Sequence, residues 1–239
     1  MRLAADARVL GSLLRGMGRA GMSHGESLQR FYAPQAAHYD GFRERLLKGR
    51  AELISQLACA PGARIVELGA GTGRNLEFFG ERLRDAACVD LVDLCPALLD
   101  IARARHAARA NVRVTLADAT SFQPGRPADC VYFSYSLSMI PDWRAALDNA
   151  IAMLAPGGIL GVVDFHVPNR LSPLARAFWP WWFRHDGVRL SREHLPYLLD
   201  RLTPIALREA SARVPYLPGL AAPYYVLVAR KAGGPVAPS

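Results

Sequence analysis

A glycine-rich turn between an apolar strand and a helix is the feature that most constrains the fold of this chain. Residues 64–75 read Arg-Ile-Val-Glu-Leu-Gly-Ala-Gly-Thr-Gly-Arg-Asn. The Ile-Val-Glu-Leu portion predicts a buried strand, and residues 74–79 have the pattern of a helix. Gly69, Gly71 and Gly73 suit a tight turn without room for a Cβ, so that the backbone can approach a ligand closely. The stretch therefore predicts a strand-loop-helix cradle for a ligand.

The spacing of the glycines separates two kinds of nucleotide site. Dinucleotide-binding folds that hold a pyrophosphate tend to carry Gly-x-Gly-x-x-Gly, whereas this chain has Gly-x-Gly-x-Gly preceded by an acid. The run Glu-Leu-Gly-Ala-Gly-Thr-Gly resembles the first motif of class I S-adenosylmethionine-dependent methyltransferases. The resemblance implies that the loop binds the amino-acid end of S-adenosyl-L-methionine. The cofactor-binding residues that it implies here are Glu67, Gly69, Ala70, Gly71, Gly73, Arg74 and Asn75.

Two acids end or follow the next two predicted strands. Asp93 stands about 20 residues beyond the loop, where one carboxylate can accept two ribose hydroxyls. Asp93 is favoured over Asp90 because the Asp-Leu-x-Pro turn resembles the family's second motif, and Leu94 is placed at the cofactor with it. The resemblance also implies that Asp118 contacts the adenine amino group, with the Ala119 backbone N–H beside the ring. A surface loop acid is the alternative interpretation of Asp118.

Strands and helices continue to alternate beyond these acids. A fourth strand is predicted over residues 129–134, and ligands in open parallel sheets bind beyond the carboxyl ends of the strands. Ser134 and Tyr135 are therefore expected between cofactor and substrate. A helix over 144–154 and a Leu-Ala-Pro-Gly-Gly turn lead to a fifth strand at 159–164. This alternation predicts an α/β fold with a doubly wound, mostly parallel sheet. The resemblance implies a Rossmann-like sheet of seven strands with an antiparallel terminal strand.

Length, charge and cysteine content limit the possible function classes. The 239 residues fit one α/β domain with a small appendage, and no apolar run approaches the roughly 18 residues of a membrane-spanning helix. The net charge of +8 favours an anionic partner, either nucleic acid or a membrane surface. The four cysteines show no C-x-x-C pairing, so that buried free thiols in a reducing cytosol are expected, with a disulfide or a metal site as the alternative, and no metal ligand is assigned.

The predicted methyltransferase domain occupies residues 27–232. Residues 1–26 form a basic amphipathic arm, and residues 233–239 are expected to be a disordered tail. The arm could lie on a membrane, pack on the domain or be disordered, or it could precede a true start at Met22.

An aromatic insertion interrupts the pattern at residues 166–204. It contains the run Phe-Trp-Pro-Trp-Trp-Phe-Arg-His-Asp, and Ser191 is predicted to cap a short helix that follows. The insertion could be a buried hairpin of the core. Alternatively, it could cover a lipid headgroup or rest at a membrane interface, because tryptophan favours positions where one end of the ring is wet.

Longer runs outside the cofactor motifs resemble one branch of the family. They are Phe-Tyr-Ala-Pro-Gln-Ala-Ala-His-Tyr-Asp-Gly-Phe-Arg-Glu-Arg-Leu-Leu, Gly-Thr-Gly-Arg-Asn-Leu-Glu-Phe-Phe-Gly, Val-Tyr-Phe-Ser-Tyr-Ser-Leu-Ser-Met-Ile-Pro-Asp-Trp and Arg-His-Asp-Gly-Val. Over about residues 27–231 the chain is similar to bacterial betaine-lipid N-methyltransferases. The resemblance implies three successive methylations of the diacylglycerylhomoserine amine, which yield diacylglyceryl-N,N,N-trimethylhomoserine and S-adenosyl-L-homocysteine. His166 departs from this branch, in which a tyrosine is expected.

Methyl transfer to an amine needs alignment and a dry pocket more than it needs a strong base. The candidates for proton acceptance at the first two steps are Asp164, Asp142 and His166. Aromatic faces would stabilise the quaternary ammonium product. The candidates for this role are Tyr32, Tyr39 and Tyr135. The family resemblance also implies that Tyr32 contacts the cofactor, and core packing is the alternative for Tyr32 and Tyr39.

The substrate side needs a cation for the homoserine carboxylate and apolar surface for the lipid. Arg184 and His185 are the candidates for the cation. The remaining candidates for substrate contact are Trp143, Trp179 and Trp182.

Other functions compatible with the sequence are methylation of phosphatidylethanolamine or of a quinone. A nucleic-acid-binding protein is a further alternative, although the arginines form no evident stripe. A non-catalytic S-adenosylmethionine-binding protein is the third. The favoured interpretation expects a cytoplasmic protein that is peripheral at the inner membrane and acts on a lipid substrate without nucleic acid. The enzyme that makes diacylglycerylhomoserine is a candidate partner.

Overall fold

The computed structural model describes residues 22–34, 44, 46–167, 179, 188–214 and 220–233. Several predictions concern residues outside these ranges. They are those for most of the N-terminal arm, for Tyr39, Trp182, Arg184 and His185, and for nearly all of the C-terminal tail.

A seven-stranded sheet organises the described residues. Its strands are β1 (Arg64–Leu68), β2 (Cys88–Asp93), β3 (Val112–Leu116), β4 (Ala128–Ser134), β5 (Leu154–Phe165), β6 (Thr203–Arg213) and β7 (Ala221–Arg230). Their spatial order is β3-β2-β1-β4-β5-β7-β6. Strands β1 to β5 are parallel, and β7 runs antiparallel to both β5 and β6. The predicted mostly parallel sheet with an antiparallel terminal strand is confirmed.

Helices cover both faces of this sheet. They are α1 (His24–Tyr32), α2 (Arg50–Gln56), α3 (Pro96–His106), α4 (Trp143–Met153) and α5 (His194–Arg201), with 3₁₀ helices at Arg74–Leu83 and Leu137–Met139. Apolar residues of α1, α2 and α3 belong to one core cluster, and those of α4 and α5 belong to a second cluster. Because both faces are covered, β2, β4 and β5 consist largely of buried residues.

Helix α1 is stabilised by a capping box and by a contact with α3. Ser23 Oγ accepts a hydrogen bond from the Glu26 N–H, and the Glu26 carboxylate accepts one from the Ser23 N–H at 2.8 Å. Gln29 Oε1 accepts a hydrogen bond from the Ala97 N–H at 3.0 Å, in the first turn of α3. The helix therefore starts before the domain boundary that the sequence predicts at residue 27.

Two local predictions need adjustment. The run predicted as helical over residues 74–79 is a helix of the 3₁₀ type, and it continues to Leu83 across a break at Gly80, whose φ of 59° lies in the left-handed region. The predicted cap at Ser191 lies too early, because Glu193 is the N-cap of α5. Ser191 Oγ instead accepts a hydrogen bond from the Glu193 N–H at 3.0 Å and closes the turn before the helix.

The cysteines form no disulfide. All four lie in the described part of the chain and are free thiols, as predicted, although Cys59 is only partly buried. Among the described residues, no helix has the length and apolar character needed to cross a bilayer.

Candidate active site

A cavity of ≈ 390 Å³ lies at the carboxyl edge of the sheet, beyond the ends of β1, β2 and β4. Its volume falls in the range of about 300–1,000 Å³ that is typical of small-molecule and cofactor sites. Its walls come from α1, the glycine-rich loop, the residues after β2 and β3, and the segment after β4. The predicted cofactor-binding residues that line it are Tyr32, Gly69, Ala70, Gly71, Arg74, Asn75, Asp93, Leu94, Asp118, Ala119 and Ser134.

The glycine-rich loop adopts backbone angles that favour glycine. Gly69, Gly71 and Gly73 have φ values of 76°, 55° and 67°. A Cβ on Gly69 would lie 2.2 Å from Ser136 Cβ, so the glycine allows close contact with the segment after β4. A Cβ on Gly73 would lie 2.8 Å from His106 Nε2. Gly73 is therefore required for packing against α3 and does not line the cavity.

Asp93 joins the loop to the end of β2. Its Oδ2 accepts a hydrogen bond from the Gly71 N–H, and its Oδ1 accepts one from the Cys95 N–H, each at 2.8 Å. The carboxylate lines the cavity, whereas Asp90 points away and lies 3.3 Å from Arg113 Nε. The preference for Asp93 over Asp90 agrees with this placement.

Asp118 and one face of α1 form the far side of the cavity. Asp118 Oδ1 accepts hydrogen bonds from the Thr120 N–H and hydroxyl, both at 2.8 Å. His24, Leu28 and Tyr32 follow at four-residue spacing, which places them on the helix face that lines the cavity. Burial lowers the pKa of His24, while the charge of Asp118 acts in the opposite direction.

Glu67 is buried beneath the loop and does not line the cavity. Its Oε1 accepts a hydrogen bond from Asn75 Nδ2 at 2.6 Å, and its Oε2 accepts one from the Tyr132 hydroxyl at 2.8 Å. Asn75 Oδ1 accepts in turn from Arg50 Nη1 at 3.3 Å, and both Asn75 and Arg50 line the cavity. Burial raises the pKa of Glu67 to about 7 despite its hydrogen bonds. Glu67 thus influences the cavity through Asn75 and Arg50.

The end of β4 is strained and contributes two polar side chains to the cavity. Tyr135 has a φ of 55°, a conformation that costs a non-glycine residue about 1–3 kcal/mol. Its hydroxyl donates to Lys48 O at 2.6 Å, and its ring lies 4.7 Å from that of Phe165. Ser134 Oγ is buried and has no hydrogen-bond partner within the described part of the chain. It is therefore an available hydroxyl for a ligand in the cavity.

Two predicted proton acceptors do not line the cavity. Asp164 is fully buried and accepts hydrogen bonds from Ser138. His166 is buried beside β6 and β7, with its Nε2 3.5 Å from a carboxylate oxygen of Glu209 and its ring 5.4 Å from that of Tyr225. Burial lowers the pKa of His166. The third candidate, Asp142, lines the cavity, and its Oδ1 accepts from the Ala145 N–H at 3.1 Å at the start of α4.

Two predicted substrate contacts also lie outside the cavity lining. The Trp143 ring packs edge-on against His194 and Tyr197 of α5, with centroid distances of 4.6 and 5.3 Å. Trp179 is buried and belongs to the core cluster on the α1, α2 and α3 side. Their substrate-binding roles stay predictions, as do those of the candidates outside the described residues.

Arg50 and His24 line the cavity beside the predicted residues, although neither was predicted as a site residue. The four-residue spacing of His24, Leu28 and Tyr32 was an available signal, because Tyr32 was already a candidate. Arg50 offered no such signal, since no motif that we recognised in the sequence contains it.

Comparison with known proteins agrees with this geometry. A family profile described as "Methyltransferase domain" matches residues 39–201. Trans-aconitate 2-methyltransferase of Methylobacterium radiotolerans is 33% identical over 136 residues, which cover 57% of this chain and 50% of that protein. The ubiquinone/menaquinone biosynthesis C-methyltransferase of Vibrio cholerae is 30% identical over 152 residues, 60% of this chain and 58% of that protein. The chain thus spans about half the length of the curated relatives that it matches.

Solved structures share the fold at low sequence identity. One of them is a geranyl diphosphate C-methyltransferase from Streptomyces coelicolor A3(2), crystallised with Mg2+, geranyl-S-thiolodiphosphate and S-adenosyl-L-homocysteine. Its TM-score is 0.65 and its sequence identity is 16%, and the match covers 90% of this chain and 100% of that one. An N-methyltransferase from Bradyrhizobium japonicum WM9 has a TM-score of 0.56 and 18% sequence identity, and the match covers 80% of this chain and 96% of that one. The chain therefore belongs to the methyltransferase domain family, and the methyltransferase class predicted from its sequence is confirmed at the level of that family.

Proposed function

We propose that this chain transfers methyl groups from S-adenosylmethionine to an amine, and that its acceptor is the homoserine amine of diacylglycerylhomoserine. Two observations support the proposal. The sequence runs described above resemble betaine-lipid N-methyltransferases in segments beyond the cofactor motifs. The observation that carries the amine preference is the distribution of charge around the cavity.

The cavity residues fit S-adenosylmethionine. Asp93 would accept hydrogen bonds from the ribose hydroxyls, and Asp118 would accept one from the adenine amino group. Arg50 would bind the carboxylate of the amino-acid portion, and the unpartnered Ser134 hydroxyl is available for a further polar contact. When bound, the cofactor supplies an electrophilic methyl group on a sulfonium, and the new N–C bond forms as the S–C bond breaks.

The segment after β4 forms the acceptor side of the cavity and carries an acid but no cation among its described residues. Apolar side chains line it at Met139, Ile140 and Pro141, and Asp142 is its charged member. The cations that line the described cavity, Arg50 and Arg74, both lie beside the glycine-rich loop. This arrangement favours an acceptor that is cationic or becomes cationic, because Asp142 attracts positive charge.

Trans-aconitate is the alternative acceptor suggested by the relatives. A tricarboxylate would need several cations near the reacting group to offset its desolvation. Within the described residues the acceptor side offers Asp142 instead, which would repel such a substrate. We therefore favour the amine over the tricarboxylate.

Residues that line the cavity would also accept the proton of the amine and stabilise the charged product. Asp142 would take the proton that the amine loses at the first two steps. The faces of Tyr32 and Tyr135 would stabilise the quaternary ammonium that the third step leaves. The homoserine carboxylate calls for a further cation, and Arg184 and His185 are the candidates from the sequence.

A lipid acceptor implies action at a membrane surface. The net charge of +8 would attract the chain to anionic lipids. We propose peripheral association with the cytoplasmic face of the inner membrane. The enzyme that makes diacylglycerylhomoserine is the proposed functional neighbour.

The test is an assay with labelled S-adenosylmethionine and vesicles that contain diacylglycerylhomoserine. Parallel reactions contain phosphatidylethanolamine vesicles or trans-aconitate. Mono-, di- and trimethylated lipid in succession is the expected result. Asp142→Asn should lower kcat and raise the KM for the lipid, whereas Asp100→Asn, at an exposed position of α3, serves as the matched control and should behave as wild type.

Other outcomes would contradict specific parts of the proposal. A methyl ester of trans-aconitate would overturn the amine preference. Methylated phosphatidylethanolamine without methylated homoserine lipid would overturn the specific acceptor. Binding of S-adenosyl-L-homocysteine without transfer to any of the three acceptors would overturn the lipid assignment.

A further inference from the structure

The segment after β4 has little structure of its own, although it forms one wall of the cavity. Residues 134–136 and 139–142, together with Ala145, line the cavity. The one-turn 3₁₀ helix Leu137–Met139 joins the two stretches, and its N-cap residue Ser136 makes no side-chain cap. The Ser136 hydroxyl donates instead to Leu68 O at 2.6 Å. Because such short helices are weak in isolation, contacts from elsewhere must hold this turn.

Asp164, at the end of β5, supplies the main contact. Its Oδ2 accepts a hydrogen bond from the Ser138 N–H at 2.9 Å, and its Oδ1 accepts one from the Ser138 hydroxyl at 2.6 Å. Oδ1 also accepts from the Phe165 N–H at 2.7 Å. Asp164 is fully buried, and no described cation forms an ion pair with it. Both carboxylate oxygens are therefore used to hold backbone and hydroxyl groups of the turn.

The same turn also holds a part of the insertion at residues 166–204 that follows its aromatic run. Ser138 O accepts a hydrogen bond from the Arg189 N–H at 2.7 Å. Ser138 is buried and does not line the cavity. Ser138 thus connects three parts of the chain: the end of β5, the cavity wall and the segment at residues 188–190.

We propose that Asp164, acting through Ser138, is a positioning residue that fixes the acceptor side of the cavity. The inference rests on the proposed function only in one respect, which is that the proposed function identifies this wall of the cavity as the one that contacts the acceptor. Asp164 therefore takes no proton from the acceptor. Its isolation from the cavity and its three accepted hydrogen bonds argue against the role of general base.

Hydrogen exchange measured by mass spectrometry tests the proposal without any acceptor. The variants are Asp164→Asn, Ser138→Ala and the double variant, with Asp100→Asn as the control. Both single variants should raise exchange in residues 136–145 by roughly tenfold or more, because a hydrogen bond to a buried charged group is lost. The double variant should add little to Asp164→Asn, since the two residues act as one unit. Exchange in residues 64–93 should stay as in wild type.

Two exchange results would overturn the proposal. One is unchanged exchange in residues 136–145 in both single variants. The other is a rise of equal size across all strands, which would show that Asp164 supports the whole fold. If Asp164→Asn does not fold, the milder Ser138→Ala variant alone tests the proposal. Unchanged exchange in residues 136–145, or an equal rise across all strands, would then overturn it.

Kinetics with whichever acceptor is methylated provide the second measurement. Both single variants should raise the KM for the acceptor and leave the pH profile of kcat in place. A large loss of kcat confined to Asp164→Asn, with Ser138→Ala at the wild-type rate, would identify Asp164 as the base and overturn the proposal. A wrong acceptor assignment would leave the exchange results intact, so that the two failures can be told apart.

Discussion

Replacing Glu67 with glutamine removes a buried carboxyl whose ionisation opposes folding. Glu67 is fully buried beneath the glycine-rich loop, and burial raises its pKa from 4.5 to about 7. The folded state therefore holds the proton more tightly than the unfolded state does. The resulting stabilisation is fully present below pH 4.5, falls as the pH rises, and is lost above about pH 7.

The magnitude follows from the pKa difference. At about 1.36 kcal/mol per pKa unit, the carboxyl should cost about 3 kcal/mol of stability between pH 4.5 and 7. Glutamine cannot ionise, so the Glu67→Gln variant lacks this term. The amide accepts from only one of its two donor neighbours, Asn75 and Tyr132, which imposes a cost that does not depend on pH. Asp164 is present in both proteins, and its titration cancels in the comparison.

Urea unfolding at several pH values measures the effect. Between pH 5 and 8 the wild type should lose roughly 2 to 3 kcal/mol more of its unfolding free energy than Glu67→Gln does. The matched control is Glu81→Gln, which alters an exposed glutamate of the same 3₁₀ helix region. Its stability should follow that of the wild type at every pH.

Parallel curves for wild type and Glu67→Gln would refute the reasoning. They would mean that the folded protein leaves Glu67 with the pKa that it has in the unfolded chain. A variant that loses more stability than the wild type as the pH rises would refute the sign as well.

Two further predictions concern the loop and the cofactor. Gly69→Ala should destabilise the protein by several kcal/mol more than Gly80→Ala, because both positions have positive φ but only Gly69 would place its Cβ against Ser136. Thermal unfolding compares the two variants, and equal losses would show that backbone angle alone sets the cost. Asp93→Asn should weaken S-adenosyl-L-homocysteine binding by roughly 10- to 100-fold, since the carboxylate makes charge-assisted hydrogen bonds. Titration calorimetry measures this affinity, and a value within twofold of wild type would remove Asp93 from the cofactor site.

The sheet and the placement of the cofactor acids were predictable because their signals are local. Asp93 and Asp118 stand directly after predicted strands, and the carboxyl ends of neighbouring parallel strands meet at one edge. A strand-end position in the sequence therefore corresponds to a position at the cavity. The same reasoning placed Ser134 and Tyr135 correctly at this edge.

Asp164 and His166 also end a strand at this edge, yet neither lines the cavity. Side chains alternate between the two faces of a strand, and both residues share the face of Leu160 and Val162, which α4 and α5 cover. Strand position was readable from the sequence, but the contacts that keep these two side chains out of the cavity were not: Asp164 is held by Ser138, and His166 lies beside β6 and β7. Arg50 was unpredictable for a related reason, because its approach to the cavity depends on how α2 packs against the sheet.

The short helix α1 has a consequence for the motion of the protein. An isolated helix of nine residues is marginal in water, so α1 keeps its form chiefly while it is docked. Gln29 is its hydrogen-bonded connection to α3, and His24, Leu28 and Tyr32 form part of the cavity wall. Undocking of α1 would therefore melt the helix and uncover the cavity in one step. Passage of small molecules in and out would then be limited by a local unfolding equilibrium, which the rest of the sheet need not share.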